Sequence, residues 1–250
     1  MRIQAGVAIA AVLRISVYIV VGAEPTASQP VKPAADFDGL PLLLVEEFEP
    51  AAAERWEPTD TTAWKFMPDG QRSVYALIKR KSDYAPPHRS PLNISLLKGV
   101  YVSDFVLDVW MRSTITPYGH QDMCVFFGHQ SPTRFYYAHL GLESDPVSNI
   151  LHIVNDKPRA PMECTRTTGT PWQPDRYHHI RVRRNVRTGR IAVYFDDMDK
   201  PAMTAEDKTF DCGRIGVGSF DDIGNIDRVV LWGRKVEPPA TQATRPAAAD

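Results

Sequence analysis

The chain has 250 residues, with 29 Lys or Arg against 30 Asp or Glu, a formal net charge of −1, and three cysteines. That balance excludes a nucleic-acid protein, which needs a basic surface to displace counterions from phosphates, as well as an acidic solvating chain or a polytopic membrane protein. The ends hold the imbalance, with +2 over residues 1–23, −2 over 24–40 and −1 over 237–250, so residues 41–236 form a neutral body large enough for one domain with a sizeable core.

Residues 1–23 read as a signal peptide. Arg2 and Arg14 flank or interrupt an apolar stretch, Ile15–Val21 is a short apolar run, and Val21-Gly22-Ala23 offers small residues at −3 and −1. A membrane anchor needs about 20 apolar residues and tolerates Arg14 less well. The expectation is export to the periplasm or outside, with no stable membrane span after cleavage. Residues 24–40 read as a polar Pro/Ala-rich spacer and 237–250 as a disordered tail. In an oxidising compartment Cys124, Cys164 and Cys212 allow one disulfide at most. No Cys-x-x-Cys or Cys/His spacing indicates zinc, so buried small hydrophobes are the favoured reading.

The body shows no long helical periodicity and no repeat. Short alternating or apolar runs recur instead, each bounded by Gly, Pro, Asn or Asp. Strands are predicted at Leu42–Phe48, Ala63–Met67, Val74–Ile78, Leu92–Leu97, Asp104–Arg112, Asp122–Gly128, Phe135–Leu140, Ile150–Val154, His178–Arg184, Ile191–Phe195, Arg214–Ser219 and Asp227–Trp232. Many short strands with turn punctuation give an all-β fold, a two-sheet antiparallel β-sandwich or jelly roll over residues 41–236.

The densest polar-aromatic region is Tyr118–His139. Period-two geometry puts His120, Asp122, Cys124 and Phe126 on one side of the first strand, and Phe135, Tyr137 and His139 on one side of the second. If those faces coincide, they make a surface suited to sugars, with aromatic platforms and planar polar groups. His with Asp also suits general acid/base work. The alternative is that His120 and Asp122 merely begin a strand while Tyr137 fills the core. Arg89, after the Pro-rich loop Tyr84–His88, is either a cleft rim or a brace for a carboxylate such as Asp122. Asn155 and Arg159 lie in a polar turn within reach of sugar hydroxyls, and Asn155-Asp156 is also ordinary turn chemistry. Trp172 either stacks on a pyranose or plugs the sandwich edge. His178 and His179 face opposite sides of a strand and cannot chelate one ion, while Arg181 and Arg183 read as a solvated strand face. Asp196-Asp197-x-Asp199 and Asp221-Asp222 lie in turns and lack EF-hand spacing.

Tyr177, then His178-x-Ile180-x-Val182-x-Arg184, a turn at Gly189, the strand end Tyr194-Phe195-Asp196, and Gly213-Arg214-Ile215-Gly216-Val217 form a recognisable series. It resembles the concanavalin A-like lectin/glucanase superfamily, and its layout is most similar to bacterial secreted 3-keto-disaccharide hydrolase-type domains, over roughly residues 42–235. The resemblance implies a curved sandwich whose concave face holds an oligosaccharide or polysaccharide. It also implies a structural calcium between the first and last strands, where Glu46, Glu47 and Asp227 stand, with Glu47 and Asp227 the expected ligands. The glucanase motif Glu-x-Asp-x-x-Glu is absent, since no Glu occurs between Glu57 and Glu143.

Three functions follow as expectations. The first is an exported carbohydrate-binding or glycan-processing sandwich. The second is a hydrolase or lyase for 3-keto-disaccharides or related glycosides, with His120 or His139 as base, Asp122 as its orienting partner and Tyr137 as acid. The third is a structural or adhesive module.

Overall fold

A computed structural model describes residues 32–239. The expected signal peptide, residues 24–31 of the spacer and most of the tail lie outside the described residues. From Pro33 onward the described chain belongs to one compact unit.

The strands run in order β1 (Asp36–Phe37), β2 (Leu40–Glu46), β3 (Trp56–Pro58), β4 (Trp64–Asp69), β5 (Arg72–Leu77), β6 (Asn93–Leu97), β7 (Tyr101–Ser113), β8 (Asp122–Ser131) and β9 (Arg134–Gly141). They continue as β10 (Ile150–Asn155), β11 (Ala160–Pro161), β12 (Cys164–Arg166), β13 (His178–Arg184), β14 (Arg190–Phe195), β15 (Met203–Glu206), β16 (Arg214–Ser219) and β17 (Gly224–Val236). One 3-10 turn, Pro50–Arg55, precedes β3. The pairings are antiparallel and build a ten-stranded and a seven-stranded sheet. The two-sheet antiparallel sandwich expected from the turn-punctuated runs is therefore the fold.

All twelve predicted strands are present, and β13 and β16 have the predicted ends. The spacer boundary at residue 40 needs correction. Asp36 and Phe37 already pair with Pro41 and Leu40 across a hairpin whose Asp38 and Gly39 both have positive φ. Phe37 packs on Trp232 at 5.3 Å, and the Trp232 indole donates to the Ala34 carbonyl at 2.8 Å. The ten-stranded sheet thus begins at Asp36.

The core lies between the sheets. Phe105, Leu107, Val109 and Met111 of β7 meet Met123, Val125 and Phe127 of β8 and Tyr136, Ala138 and Leu140 of β9. The long β17 occupies the middle of the ten-stranded sheet, pairing with β7 on one side and with β2 and β5 on the other. In the seven-stranded sheet β16 lies close against β6, because a Cβ at Gly218 would run into the Asn93 carbonyl. An ordinary strand exposes one face to water, but β8 is buried on both faces over Asp122–His129, and so is β9 over Phe135–Gly141. A second, smaller apolar layer explains this. It contains Ile94, Leu96, Cys124, Phe126, Phe135, Tyr137 and Val154.

Candidate functional site

The outer face of the seven-stranded sheet brings together three of the four expected catalytic residues. Cys124 lies directly across from His139, and Tyr137 stands between Phe126 on one side and His152 on the other. The period-two alternation of three neighbouring strands therefore points Asp122, Cys124, Tyr137, His139 and His152 the same way. All five are buried.

Asp122 is the hub. Its Oδ2 accepts from the Phe220 backbone N–H at 2.8 Å, Ser219 Oγ at 3.1 Å and Cys124 Sγ at 3.3 Å. His139 Nε2 lies 3.4 Å from the same oxygen, without hydrogen-bond geometry. Burial opposes the charge of Asp122, yet His139 and the donated hydrogen bonds together hold its carboxyl below the usual carboxylate range. The same burial, reinforced by the Asp122 charge, pushes the Cys124 thiol well up. His139 Nδ1 meets the Val147 carbonyl at 2.8 Å, and since a carbonyl only accepts, Nδ1 carries the hydrogen. His152 stacks on Tyr137 at 4.8 Å with planes 5° apart, neither of its ring nitrogens has a hydrogen-bond partner, and burial lowers its pKa to about 2. Burial also pushes the Tyr137 phenol up, so it stays a neutral hydroxyl.

A polar roof covers this floor. Phe220 stands over His139 at 5.9 Å, the Arg159 guanidinium lies 4.0 Å from the Phe220 ring centre, and that of Arg89 lies 6.0 Å from it. Arg159 donates to Tyr137 Oη at 3.1 Å, and its backbone N–H donates to the Arg89 carbonyl at 2.9 Å. Phe220 and Arg159 are half-buried and Arg89 is exposed. Beside the roof, Asp222 accepts from Tyr118 Oη at 2.9 Å and from the Asp122 backbone N–H at 3.0 Å, and pairs with Arg80 at 3.2 Å. Burial, then the nearby Asp122 charge, raises the Asp222 carboxyl to about 6.

Other expected site residues stand elsewhere. His120 does not join the cluster: its side chain is 70% exposed and faces Asp145 at 3.4 Å, because Gly119 and His120 form a turn before β8 begins. Asn155 sits at the exposed end of β10 and accepts from Arg134 at 3.0 Å. Trp172 is not a stacking platform. It is 4% exposed, packs in the main core and donates its indole N–H to the Leu140 carbonyl at 2.8 Å. Glu47 faces Arg228 at 3.5 Å and Asp227 faces Arg72 at 2.6 Å, so an arginine, in place of a shared oxygen cage, answers each expected calcium ligand. His178 and His179 do point to opposite sides: His178 is buried against Asp196 at 2.8 Å, while His179 stacks on Trp110 at 4.3 Å. On that outer face of the ten-stranded sheet Arg181 forks onto Asp108 at 2.6 and 2.7 Å. All three cysteines are free thiols.

His152 and Phe220 were not anticipated. The alternation of Ile150-Leu151-His152-Ile153-Val154 carries the signal for His152. Phe220 reaches the cluster only through the pairing of β16 with β8. Among the described residues, Asp122, Cys124 and His139 form a group whose possible metal-ligating atoms all lie within 4.8 Å of one another. An open groove of about 420 Å³ lies apart from the cluster, lined by Glu163, Cys164, Thr165, Arg190, Thr204, Ala205 and Glu206. It offers no aromatic ring for a sugar to stack on.

No protein-family model matches the chain. No curated protein matches it either. Solved structures do. The carbohydrate-binding module CBM66 from Bacillus subtilis is similar with a TM-score of 0.52 and 14% identity, covering 72% of this chain and 96% of that one. A Bacillus subtilis protein of unknown function with a galectin-like fold is similar with a TM-score of 0.53 and 9% identity, covering 78% and 97%. The fold is galectin-like. At these identities the likeness concerns the fold alone, and activity has to be argued from the site.

Proposed function

We propose that this protein binds carbohydrate over the outer face of the seven-stranded sheet. The observation that carries this reading is the Arg159–Phe220–Arg89 roof, an apolar ring flanked by two guanidinium groups above a buried tyrosine and two imidazoles. Such a surface offers an aromatic face to sugar C–H groups and forked donors to paired hydroxyls. The neutral body suits an uncharged ligand, and the carbohydrate-binding module with the same fold agrees with it. The signal-like residues 1–23 support export, and among the described residues no helix is long and apolar enough to cross a membrane.

A glycan array followed by titration calorimetry tests the reading. Arg159→Ala and Phe220→Ala each weaken the best ligand by more than about 10-fold, as loss of a stacked or charge-assisted contact of about 1.5 kcal/mol requires. Arg183→Ala, on the ten-stranded sheet, leaves binding unchanged. Folded wild-type protein that retains no glycan, or binding that moves with Arg183 alone, overturns it.

One observation favours a second reading, turnover of a 3-keto-disaccharide. The Val147 carbonyl orients His139 through Nδ1–H, so Nε2, 3.4 Å from Asp122, is the nitrogen that would act as base once substrate displaced that contact, and Tyr137, 6.1 Å away, would be the acid. Incubation with 3-keto-glucosides decides it. Turnover lost in both His139→Ala and Tyr137→Phe supports this reading, and undiminished turnover in either removes that residue's role.

A further inference from the structure

We propose that Asp122, Cys124 and His139 form a buried binding site for a divalent transition-metal ion of the zinc type. The inference rests on neither reading above, because it concerns the floor of the cluster and makes no use of a glycan.

The donor geometry comes first. Asp122 and Cys124 are two residues apart on β8, so they share a face, and His139 lies directly across from Cys124 on β9. Sγ and Nε2 stand 3.3 and 3.4 Å from Asp122 Oδ2. A tetrahedral ion with a sulfur ligand at about 2.3 Å and nitrogen and oxygen ligands at about 2.0 Å needs donor separations of about 3.3–3.5 Å. The spacing Asp-x-Cys followed by a distant His is no sequence motif; strand pairing alone assembles it.

The surroundings are those of a metal ligand set. With its Nδ1–H committed to the Val147 carbonyl, the His139 ring directs Nε2 at the carboxylate and thiol, and a backbone carbonyl behind a ligating imidazole is a recurrent orienting device. Ser219 Oγ and the Phe220 N–H fix the Asp122 carboxylate in turn. His139 Nε2 meets the carboxylate at 3.4 Å without hydrogen-bond geometry, and an ion between them would take both atoms as ligands.

Unsatisfied polar atoms give a second, independent sign. His139 Nε2 and both ring nitrogens of His152 are buried without a hydrogen-bond partner, and the two rings lie 5.9 Å apart. His152 is fully buried. Leaving such atoms unpaired in the interior is costly, and an ion would answer His139 Nε2. Charge also closes. Binding expels the Cys124 thiol proton, and thiolate plus carboxylate then balance a divalent ion with no redox step. A set of thiolate, imidazole and carboxylate selects zinc-type ions over calcium or magnesium.

The test titrates the full-length protein, stripped with chelator, with cobalt(II) as a spectroscopic stand-in for zinc. One equivalent produces a near-ultraviolet thiolate-to-cobalt charge-transfer band, and zinc displaces it. Cys124→Ser abolishes the band and weakens zinc by more than about 10-fold, His139→Gln weakens it similarly, and Cys164→Ser and Cys212→Ser retain the wild-type spectrum. A wild type without the band, or a band that survives Cys124→Ser or follows Cys164 or Cys212, overturns the proposal. X-ray absorption on the zinc-loaded wild type decides independently of any variant's folding. One sulfur at about 2.3 Å with nitrogen and oxygen at about 2.0 Å supports the site, and a shell without sulfur removes it.

Discussion

The guanidinium of Arg159 lies 4.0 Å from the centre of the Phe220 ring. One side chain thereby ties the loop after β10 to the turn after β16, and through its bond to Tyr137 Oη it also holds the floor beneath both. Arg159→Ala leaves a buried phenol without its donor and removes the stacking. The expected loss is about 2 kcal/mol, read from urea denaturation. Arg159→Met, which keeps most of the apolar stem, recovers only part of it. A denaturation midpoint unchanged in Arg159→Ala would show that the phenol is satisfied from elsewhere.

Asp222 sets a pH dependence whose sign is unusual for an acid. Its carboxyl is raised from 3.8 to about 6, first by burial and then by Asp122. Between those values the native state holds the proton more tightly than the unfolded chain. Its contribution to stability therefore falls as pH rises from about 4 to about 6. Asp222→Asn removes that fall, so the melting temperature of the variant relative to wild type rises from pH 4 to pH 7. A constant difference across that range counts against the assignment. Asp122, held below its usual value, acts oppositely, and its contribution is lost as pH falls through its native pKa.

Trp172 separates stability from recognition. Trp172→Ala opens a cavity in the main core and strands the Leu140 carbonyl, with an expected cost of about 3–5 kcal/mol. Trp172→Phe costs less and leaves glycan affinity unchanged, as calorimetry on the folded variant will show. A selective loss of affinity would return the residue to the binding surface.

Glu46 anchors the strand end at β2. It is buried, accepts from Arg55 at 2.8 and 3.0 Å and from the Trp56 indole at 3.3 Å, and receives the Phe48 backbone N–H at 2.9 Å. Phe48, fully buried, has a φ of +55°, so this acceptor steadies a strained residue. Glu46→Ala leaves these donors unpaired and lowers stability by about 2–3 kcal/mol, measured by thermal or chemical denaturation. A shift below about 0.5 kcal/mol would mean that water reaches the donors.

Long alternating strands were legible because alternation is local. Ile180 and Val182 face inward while His179, Arg181 and Arg183 face outward, and the predicted ends of β13 stand. The short strands β3, β11, β12 and β15 span two to four residues, too few to show a period. The same rule put Asp122 with Cys124 and Tyr137 with His139, but that the two faces coincide is set by the β8–β9 register, which alternation alone does not fix. His120 failed because it precedes the strand, where a turn ends the alternation. The covering of that face was not legible. Phe220 and Arg159 arrive through contacts between segments far apart in sequence, which no local pattern encodes.

The position of β17 governs the order in which this protein can assemble. The last strand of the sandwich is also a middle strand of its larger sheet, and β2, β5 and β7 each wait for it as a neighbour. During synthesis those earlier strands leave the ribosome with open edges and hold them until residue 236 has emerged. Open edges of that kind invite pairing with other chains. The larger sheet therefore closes only once β17 is in place, and a chain stopped before Gly224 would leave the edges of β2, β5 and β7 that face it unpaired.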